Sequence, residues 1–379
     1  MINKNKKALS GALAAAEALR QIEPDVMSVY PITPQTAIIE TYSQFKADGL
    51  VRTEMIQAES EHSAISACVG ASAAGARTAT ASSSQGIALM HEILYIASGM
   101  RLPILMAVSA RALSSPLNIH GDHSDVMGSR DAGWLQIFAE NPQEAYDNTI
   151  VAMKLAERVN LPIMSIMDGF NTSHCIENVE ILDDEKVKKF LGEYKPEKSL
   201  LDWENPVTFG PLALQDSFFE FKIDQEKAME EAKNEFLKVA KEYKKISGKN
   251  IGFFEEYENK RAETSLVLMG SAVGTAKDAV DELRLQGVKV GLIKINLFRP
   301  FPQEELAKAL KKCKEIIVLD RAQSIGTNPP LFMEVVNSVR ELKGRKKISS
   351  YVYGLGGRDL FKKKIKNLLE GKVKEKYLV

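Results

Sequence analysis

Glu59, Glu61 and His62 stand at the head of a stretch that carries no further charge until Arg77. A carboxylate pressed against so many Ala, Ser and Gly residues is desolvated, which favours its protonated form and suits a general acid or proton relay. Acids in a first helical turn also complement the helix dipole, and spacing alone leaves both roles open. Arg111 follows the apolar run LPILMAVSA, and Thr33 sits between two prolines after VMSVY. A guanidinium with a nearby hydroxyl suits recognition of a small carboxylate, although either residue equally suits a turn or a surface cap. The run HGDHSD places His120, Asp122, His123 and Asp125 close enough in sequence to suggest a metal site. Loop His and Asp residues often bond to backbone instead, and such a site normally draws a further ligand from elsewhere. Gly354, Gly356 and Gly357 of GLGGRD miss the dinucleotide-binding spacing, and GSAVGT reads as an ordinary strand-to-helix turn.

These residues need a scaffold that brings them together. Short apolar runs (VMSVY, RTATASS, LPILMAVSA, LPIMSIMD) alternate with helical periodicity in GALAAAEALRQI, QTAIIETYSQF, GIALMHEILYIASGM and PQEAYDNTIVAMKLAERV. The alternation predicts an α/β fold with a parallel sheet, whose ligands gather at the carboxyl ends of the strands. Thr33 and Arg111 fall at such ends. Residues 1–255 form the first domain, with a highly charged connector from about 183. A second alternation in 256–379, from SLVLMG to ISSYVYG, predicts a smaller α/β domain.

Composition narrows the function. Lys and Arg total 50 and Asp and Glu total 50, so no net charge calls for nucleic acid or an anionic membrane. No apolar run reaches membrane-spanning length, and Glu17 interrupts the stretch where a signal peptide needs an unbroken apolar core, so a cytoplasmic location is expected. The 3 cysteines, Cys68, Cys175 and Cys313, form no C-x-x-C pair and argue against an iron-sulfur or structural zinc site in this chain. Charge is sparse in the first half and dense in the second, which suggests that much of the first half is covered by its own fold or by other chains.

At YPITPQT, QAESEHSAISACVGASAAGARTATASSSQG, SARALS, GDHSD, DGFNTSH, KINLFRPFP and GLGGRD the sequence resembles the alpha subunits of the pyruvate:ferredoxin oxidoreductase family of 2-oxoacid:ferredoxin oxidoreductases. The resemblance implies a pyrimidine-type thiamine diphosphate-binding domain followed by a transketolase C-terminal-like domain. It implies oxidative decarboxylation of a 2-oxoacid, most simply pyruvate, to acyl-CoA with electrons passed to ferredoxin. Carried over, Glu61 is the carboxyl on the aminopyrimidine, Thr33 and Arg111 hold the oxoacid, and Pro31 and Ile32 line the pyrimidine end of the pocket.

No GDG motif, which with a downstream Asn holds the metal and pyrophosphate in such enzymes, occurs in the chain. The resemblance therefore implies beta, gamma and delta subunits that supply Mg2+, the other half of the thiamine diphosphate site and 4Fe-4S clusters. CoA, a 2-oxoacid and ferredoxin are the remaining partners. Other oxoacids (2-oxobutyrate, branched-chain, 2-oxoglutarate) are alternatives within the family. A metal-dependent hydrolase built on His120–Asp125, or a non-catalytic scaffold subunit, are alternatives outside it.

Overall fold

The computed structural model describes residues 5–344 and 346–379. In the first half the elements are β1 (Lys6–Ser10), α1 (Gly11–Ile22), β2 (Val26–Val29), α2 (Thr36–Ala47), β3 (Glu54–Gln57), α3 (Glu61–Ala73), β4 (Thr78–Ser82) and α4 (Ser84–Gly99). They continue as β5 (Ile104–Ala110), α5 (Ser124–Gly128), β6 (Leu135–Phe138), α6 (Pro142–Val159), β7 (Ile163–Asp168), β8 (Ile176–Glu180), α7 (Asp184–Leu191) and α8 (Phe218–Ser247). The second half adds β9 (Phe254–Tyr257), β10 (Thr264–Leu268), α9 (Ala272–Leu285), β11 (Val290–Ile295), β12 (Leu297–Arg299) and α10 (Gln303–Leu310). It ends with β13 (Glu315–Asp320), α11 (Pro330–Val339), β14 (Lys347–Tyr353), α12 (Lys362–Leu369) and β15 (Tyr377–Leu378).

The first sheet has the order β12-β6-β7-β5-β4-β2-β3, and all of its strands except β12 run parallel. Every residue of β5 and β7 is buried, as expected of central strands covered on both faces. The edge strand β3 is mostly exposed. One face packs against α1, α2, α6 and α8. The other packs against α3 and α4, and the same apolar cluster continues through Ile293, Phe298, Leu306, Val318 and Leu331 of the second half. The two halves therefore share a core.

The second sheet has the order β15-β14-β13-β10-β11-β9, with β9 the antiparallel edge. Sheet membership does not follow a single cut in the chain. After β11 the chain crosses back, and Leu297 and Arg299 of β12 extend the first sheet beside β6. The sequence reading of KINLFRPFP did not separate this strand, because three residues leave no periodicity. β1 and β8, of five residues each, pair as a separate antiparallel ribbon.

Local signals explain the helix boundaries. Ser10 caps α1 by accepting from the backbone N–H of Leu13 at 3.3 Å, and Asn141 caps α6 by accepting from that of Glu144 at 2.9 Å, with Pro142 in the first turn. α6 ends at Asn160 in the left-handed conformation, φ 48°. No helix among the described residues is long and apolar enough to cross a membrane.

The halves are joined by buried charge. Asp168, at the end of β7, pairs with Arg321, just past β13, and both are almost wholly buried. The other carboxylate oxygen meets His123 Nε2 at 2.7 Å. Ser271, ahead of α9, donates to Asp168 from its N–H at 2.9 Å and from its hydroxyl at 2.6 Å. A Cβ on Gly270, φ +78°, would come within 2.7 Å of the Asp168 carboxylate, so the GSAVGT turn is shaped to receive it. Burial alone would raise the carboxyl's pKa; Arg321 and then His123 overcome it and hold the group well below the usual carboxylate range.

Breaking such a pair from one side is costly, since it leaves a buried charge without a partner. Arg321→Met is expected to destabilise the full chain by roughly 3–5 kcal/mol in urea unfolding. Asp168→Asn combined with Arg321→Met should cost clearly less than the sum of the two single changes.

Candidate active site at the carboxyl ends of four strands

In the first sheet β5, β4, β2 and β3 are consecutive neighbours and parallel, so their carboxyl ends form one row. The loops and helix starts that follow these strands carry Arg111, Gly86, Thr33 and Glu61. Four positions scattered over about 80 residues are collected by topology alone. The turn after β2 is drawn toward β3 by Ala58 N–H, which donates to the Val29 carbonyl at 3.0 Å.

The structure separates the three candidates at the head of α3. Ser60 caps the helix, its hydroxyl accepting from Ser63 N–H at 3.1 Å. Glu59 lies in solvent and accepts from the Ser63 hydroxyl at 2.6 Å, a bond that holds its carboxyl below the ordinary value. His62 is half-buried and faces Glu92 at 3.5 Å. Glu61, the first residue of α3, turns inward and is only 7% exposed. Its carboxylate takes no hydrogen bond from any other described residue. It lies against the Cα of Gly86: a Cβ there would come within 2.8 Å of Glu61 Oε1 and would also strike the Ser82 hydroxyl. The Ser82 hydroxyl is itself buried without a partner. An unpartnered buried hydroxyl and a carboxylate without a protein donor thus share one cradle that only glycine leaves open, which fits a ligand that hydrogen-bonds to a carboxyl.

Arg111 and Thr33 meet, although 78 positions separate them. Arg111 Nη1 donates to the Thr33 carbonyl at 2.9 Å and Nε to the Asn118 carbonyl at 2.9 Å, while Nη2 has no partner among the described residues. Arg111 is 6% exposed, whereas Thr33 and Pro31 are exposed and Ile32 is half-buried. The turn is closed by the Ile32 carbonyl, which accepts from Gln35 N–H at 2.9 Å.

The four polar residues of HGDHSD do not converge, and each has separate work. Asp125 is buried, and its Oδ2 accepts from the backbone N–H of both Arg111, at 2.9 Å, and Ser84, at 2.8 Å. Its Oδ1 accepts from Val126 N–H at 2.7 Å. One carboxylate therefore ties the Arg111 loop to the start of α4, where Ser84 holds an uncommon φ of +49° and Gly86 borders Glu61. Asp122 accepts from Ser124 and from Gly356 N–H, His123 belongs to Asp168, and the His120 ring lies against Phe170 at 4.9 Å. The density that suggested a metal site is the density of a hydrogen-bonded seam. Among the described residues the acids near enough to share an ion are Glu140, Glu144 and Glu255, and the ammonium groups of Lys294 and Lys277 already lie on them.

Residues 17–241 match the family described as pyruvate flavodoxin/ferredoxin oxidoreductase, thiamine diphosphate-binding, and residues 262–365 match the pyruvate:ferredoxin oxidoreductase core domain II. The chain is 55% identical to pyruvate synthase subunit PorA of Thermotoga maritima over 96% of this chain and 93% of that one. The chain belongs to the pyruvate:ferredoxin oxidoreductase family, as a subunit of an enzyme. The PorA protein of Methanocaldococcus jannaschii is 46% identical over 96% of this chain and 94% of that one. Ketoisovalerate oxidoreductase subunit VorA of Pyrococcus horikoshii is 43% identical over 97% of this chain and 94% of that one. In fold, the chain is similar to 2-oxoglutarate:ferredoxin oxidoreductase from Magnetococcus marinus, with a TM-score of 0.77 at 19% identity, over 98% of this chain and 66% of that one. A split-gene transketolase superposes with a TM-score of 0.56 at 11% identity, over 97% and 98% of the two chains. The expected α/β fold with its thiamine diphosphate-binding domain is the one observed.

Sequence reasoning missed Gly86, and it raised Asp125 only as one member of a possible metal cluster, an alternative the hydrogen bonds of that carboxylate do not support. The signal for Gly86 was its place in SSSQG, directly after a strand of the same row. Burial pushes the Asp125 carboxyl up to about 7, with the Asp122 charge adding to it and the three N–H donors opposing. A raised folded-state value means that the stability it brings is complete at acid pH and is lost as pH rises through about 7. Between pH 6 and 8 the wild-type chain is therefore expected to lose on the order of 1 kcal/mol relative to Asp125→Asn. Chemical unfolding of both proteins at the two pH values checks this; a constant difference would refute the assignment.

Proposed function

We propose that this chain is the alpha subunit of a pyruvate:ferredoxin oxidoreductase that converts pyruvate, CoA and oxidised ferredoxin to acetyl-CoA, CO2 and reduced ferredoxin. The observation that carries the reading is Glu61: a buried carboxylate without a protein partner, above the cradle left by Gly86, at the strand ends that also carry Arg111 and Thr33. Glu61 would hold a proton against N1′ of the aminopyrimidine of thiamine diphosphate. When bound, this cofactor supplies the nucleophilic carbon that attacks the keto carbon of a 2-oxoacid and the electron sink for its decarboxylation. Pro31 and Ile32 would line the pyrimidine end. Arg111, with its uncommitted Nη2, and Thr33 would hold the oxoacid's carboxylate and keto oxygens.

The pyrophosphate end, its Mg2+ and the 4Fe-4S clusters are assigned to partner subunits of beta, gamma and delta type. The absence of a GDG motif supports that assignment, as do three cysteines that stand far apart in sequence. Ferredoxin would be met through those partners, in the cytoplasm. The pyruvate synthase relatives favour pyruvate, and the ketoisovalerate relative makes a branched oxoacid the second substrate to try.

In the assembled complex, Glu61→Gln is expected to lower oxoacid-dependent reduction of a viologen dye by at least about 100-fold while the subunits still co-purify. Gly86→Ala, which crowds the same carboxylate without changing its chemistry, should lower it by about tenfold. Turnover unchanged in Glu61→Gln would leave this chain a scaffold.

A further inference from the structure

The GLGGRD turn of the second domain reaches the residues around Arg111. Gly356 lies in the 3-10 turn Leu355–Gly357. Its N–H donates to Asp122 Oδ2 at 3.1 Å, and its carbonyl accepts from Asn118 Nδ2 at 3.1 Å. A single residue thus grips both ends of the 118–122 loop. The loop is braced within itself, because Asn118 Oδ1 accepts from His120 N–H at 2.7 Å and Asp122 Oδ1 accepts from Ser124 N–H at 2.9 Å. The Asn118 carbonyl faces the other way and receives Arg111 Nε at 2.9 Å.

The fit is tight. Gly356 has φ +59°, and a Cβ on it would overlap Asn118 Nδ2; one on Gly357 would come within 2.5 Å of the His120 Cβ. The turn is itself fastened to the buried seam, since Arg321 Nε donates to the Gly354 carbonyl at 3.3 Å. The path from Gly356 to Arg111 is short, with one side-chain amide followed by one backbone carbonyl.

We infer that Asn118 is a positioning residue for Arg111, and that the second domain, through Gly356, sets how well the site grips its oxoacid. The inference rests on the reading of Arg111 as the carboxylate-binding residue. A guanidinium held at Nε and Nη1 by two backbone carbonyls presents Nη2 in one fixed direction, and releasing the Nε contact frees the fork to turn away. The function so assigned to the GLGGRD glycines is close approach of this turn to the side chains of Asn118, His120 and Arg321, with no nucleotide involved.

The test uses steady-state dye reduction by the assembled enzyme, varying pyruvate at saturating CoA. Asn118→Ala is expected to raise the KM for pyruvate on the order of tenfold, because losing the side-chain bonds to Gly356 and His120 N–H lets the Asn118 carbonyl drift from Arg111 Nε, with kcat changed less than about threefold and the KM for CoA unchanged. In an Arg111→Ala background the same change should add nothing, because Asn118 acts only through Arg111. Gly356→Ala should raise the KM similarly, and adding Asn118→Ala to it should make matters no worse, since the clash is with that side chain. Asn118→Asp, close to isosteric, replaces the donor to the Gly356 carbonyl with a charged acceptor and serves if the alanine variant does not fold. A pyruvate KM unmoved by Asn118→Ala or Asn118→Asp, or effects that add to those of Arg111→Ala, overturn the inference. An Arg111→Ala enzyme with wild-type KM overturns the reading of Arg111 itself, and that result is visible before Asn118 is touched.

Discussion

The buried Asp168 carboxylate is the point on which both sheets close. It sits at the end of a central strand of the first sheet and receives Arg321 and the start of α9 from the second half, together with His123 from the loop beside Arg111. An isolated carboxylate there would cost several kcal/mol in lost hydration, so the fold is stable only when all of these donors are in place together. That requirement turns two domains into one body. Their apolar faces also merge, but apolar contact is tolerant of sliding, and a carboxylate with its lone pairs committed is not.

From Asp168 the order passes inward along the chain. His123 is fixed by the carboxylate, and two residues later Asp125 holds the N–H groups of Arg111 and Ser84. The Arg111 loop and the α4 start that borders Glu61 are therefore located from a single oxygen. Asp125 has no cation in hydrogen-bonding contact and depends on three backbone donors, which is why burial dominates its titration while Asp168 stays ionised. Two aspartates in one seam thus serve different ends, one binding the domains and the other aligning strand-end loops. The residues that face the site, Glu61 and Arg111, are free to be incompletely satisfied because others carry the folding energy.

Much of this was legible beforehand. The alternation of apolar runs and helical periodicity gave the parallel sheet, since strands buried on both faces read as unbroken apolar stretches, and the charge-free run after Glu61 marked a helix. What failed was partner assignment. HGDHSD, DGFN, GSAVGT and GLGGRD are distant in sequence and meet only at the seam, and nothing local distinguishes a His that binds zinc from one that binds a buried Asp. The glycines of GLGGRD carried a usable clue: their density without nucleotide spacing signals close backbone approach, though not to what. β12 and β15 were invisible because two or three residues hold no period, and β12 depends wholly on the neighbour it joins.

The site also shows a gradient that the sequence did not suggest. Glu61 and Arg111 are nearly closed off, while Pro31 and Thr33, from the neighbouring strand end, are open to solvent. A complete pocket for a decarboxylation would be walled on all sides, because water competes for every hydrogen bond and for reactive carbon. Here the wall is present beneath the polar groups and missing above them. Arg111 spends Nε and Nη1 on carbonyls of its own chain, which fixes its direction at the expense of a full fork, so under the proposed role its grip on a carboxylate would need Thr33 or a group from outside this chain to complete it. An open rim above a closed floor is what the proposed shared site should display, with the unpartnered Ser82 hydroxyl on the floor and exposed Pro31 and Thr33 on the rim. On the proposed reading the fold contributes a pre-aligned floor, and a partner subunit would supply the roof.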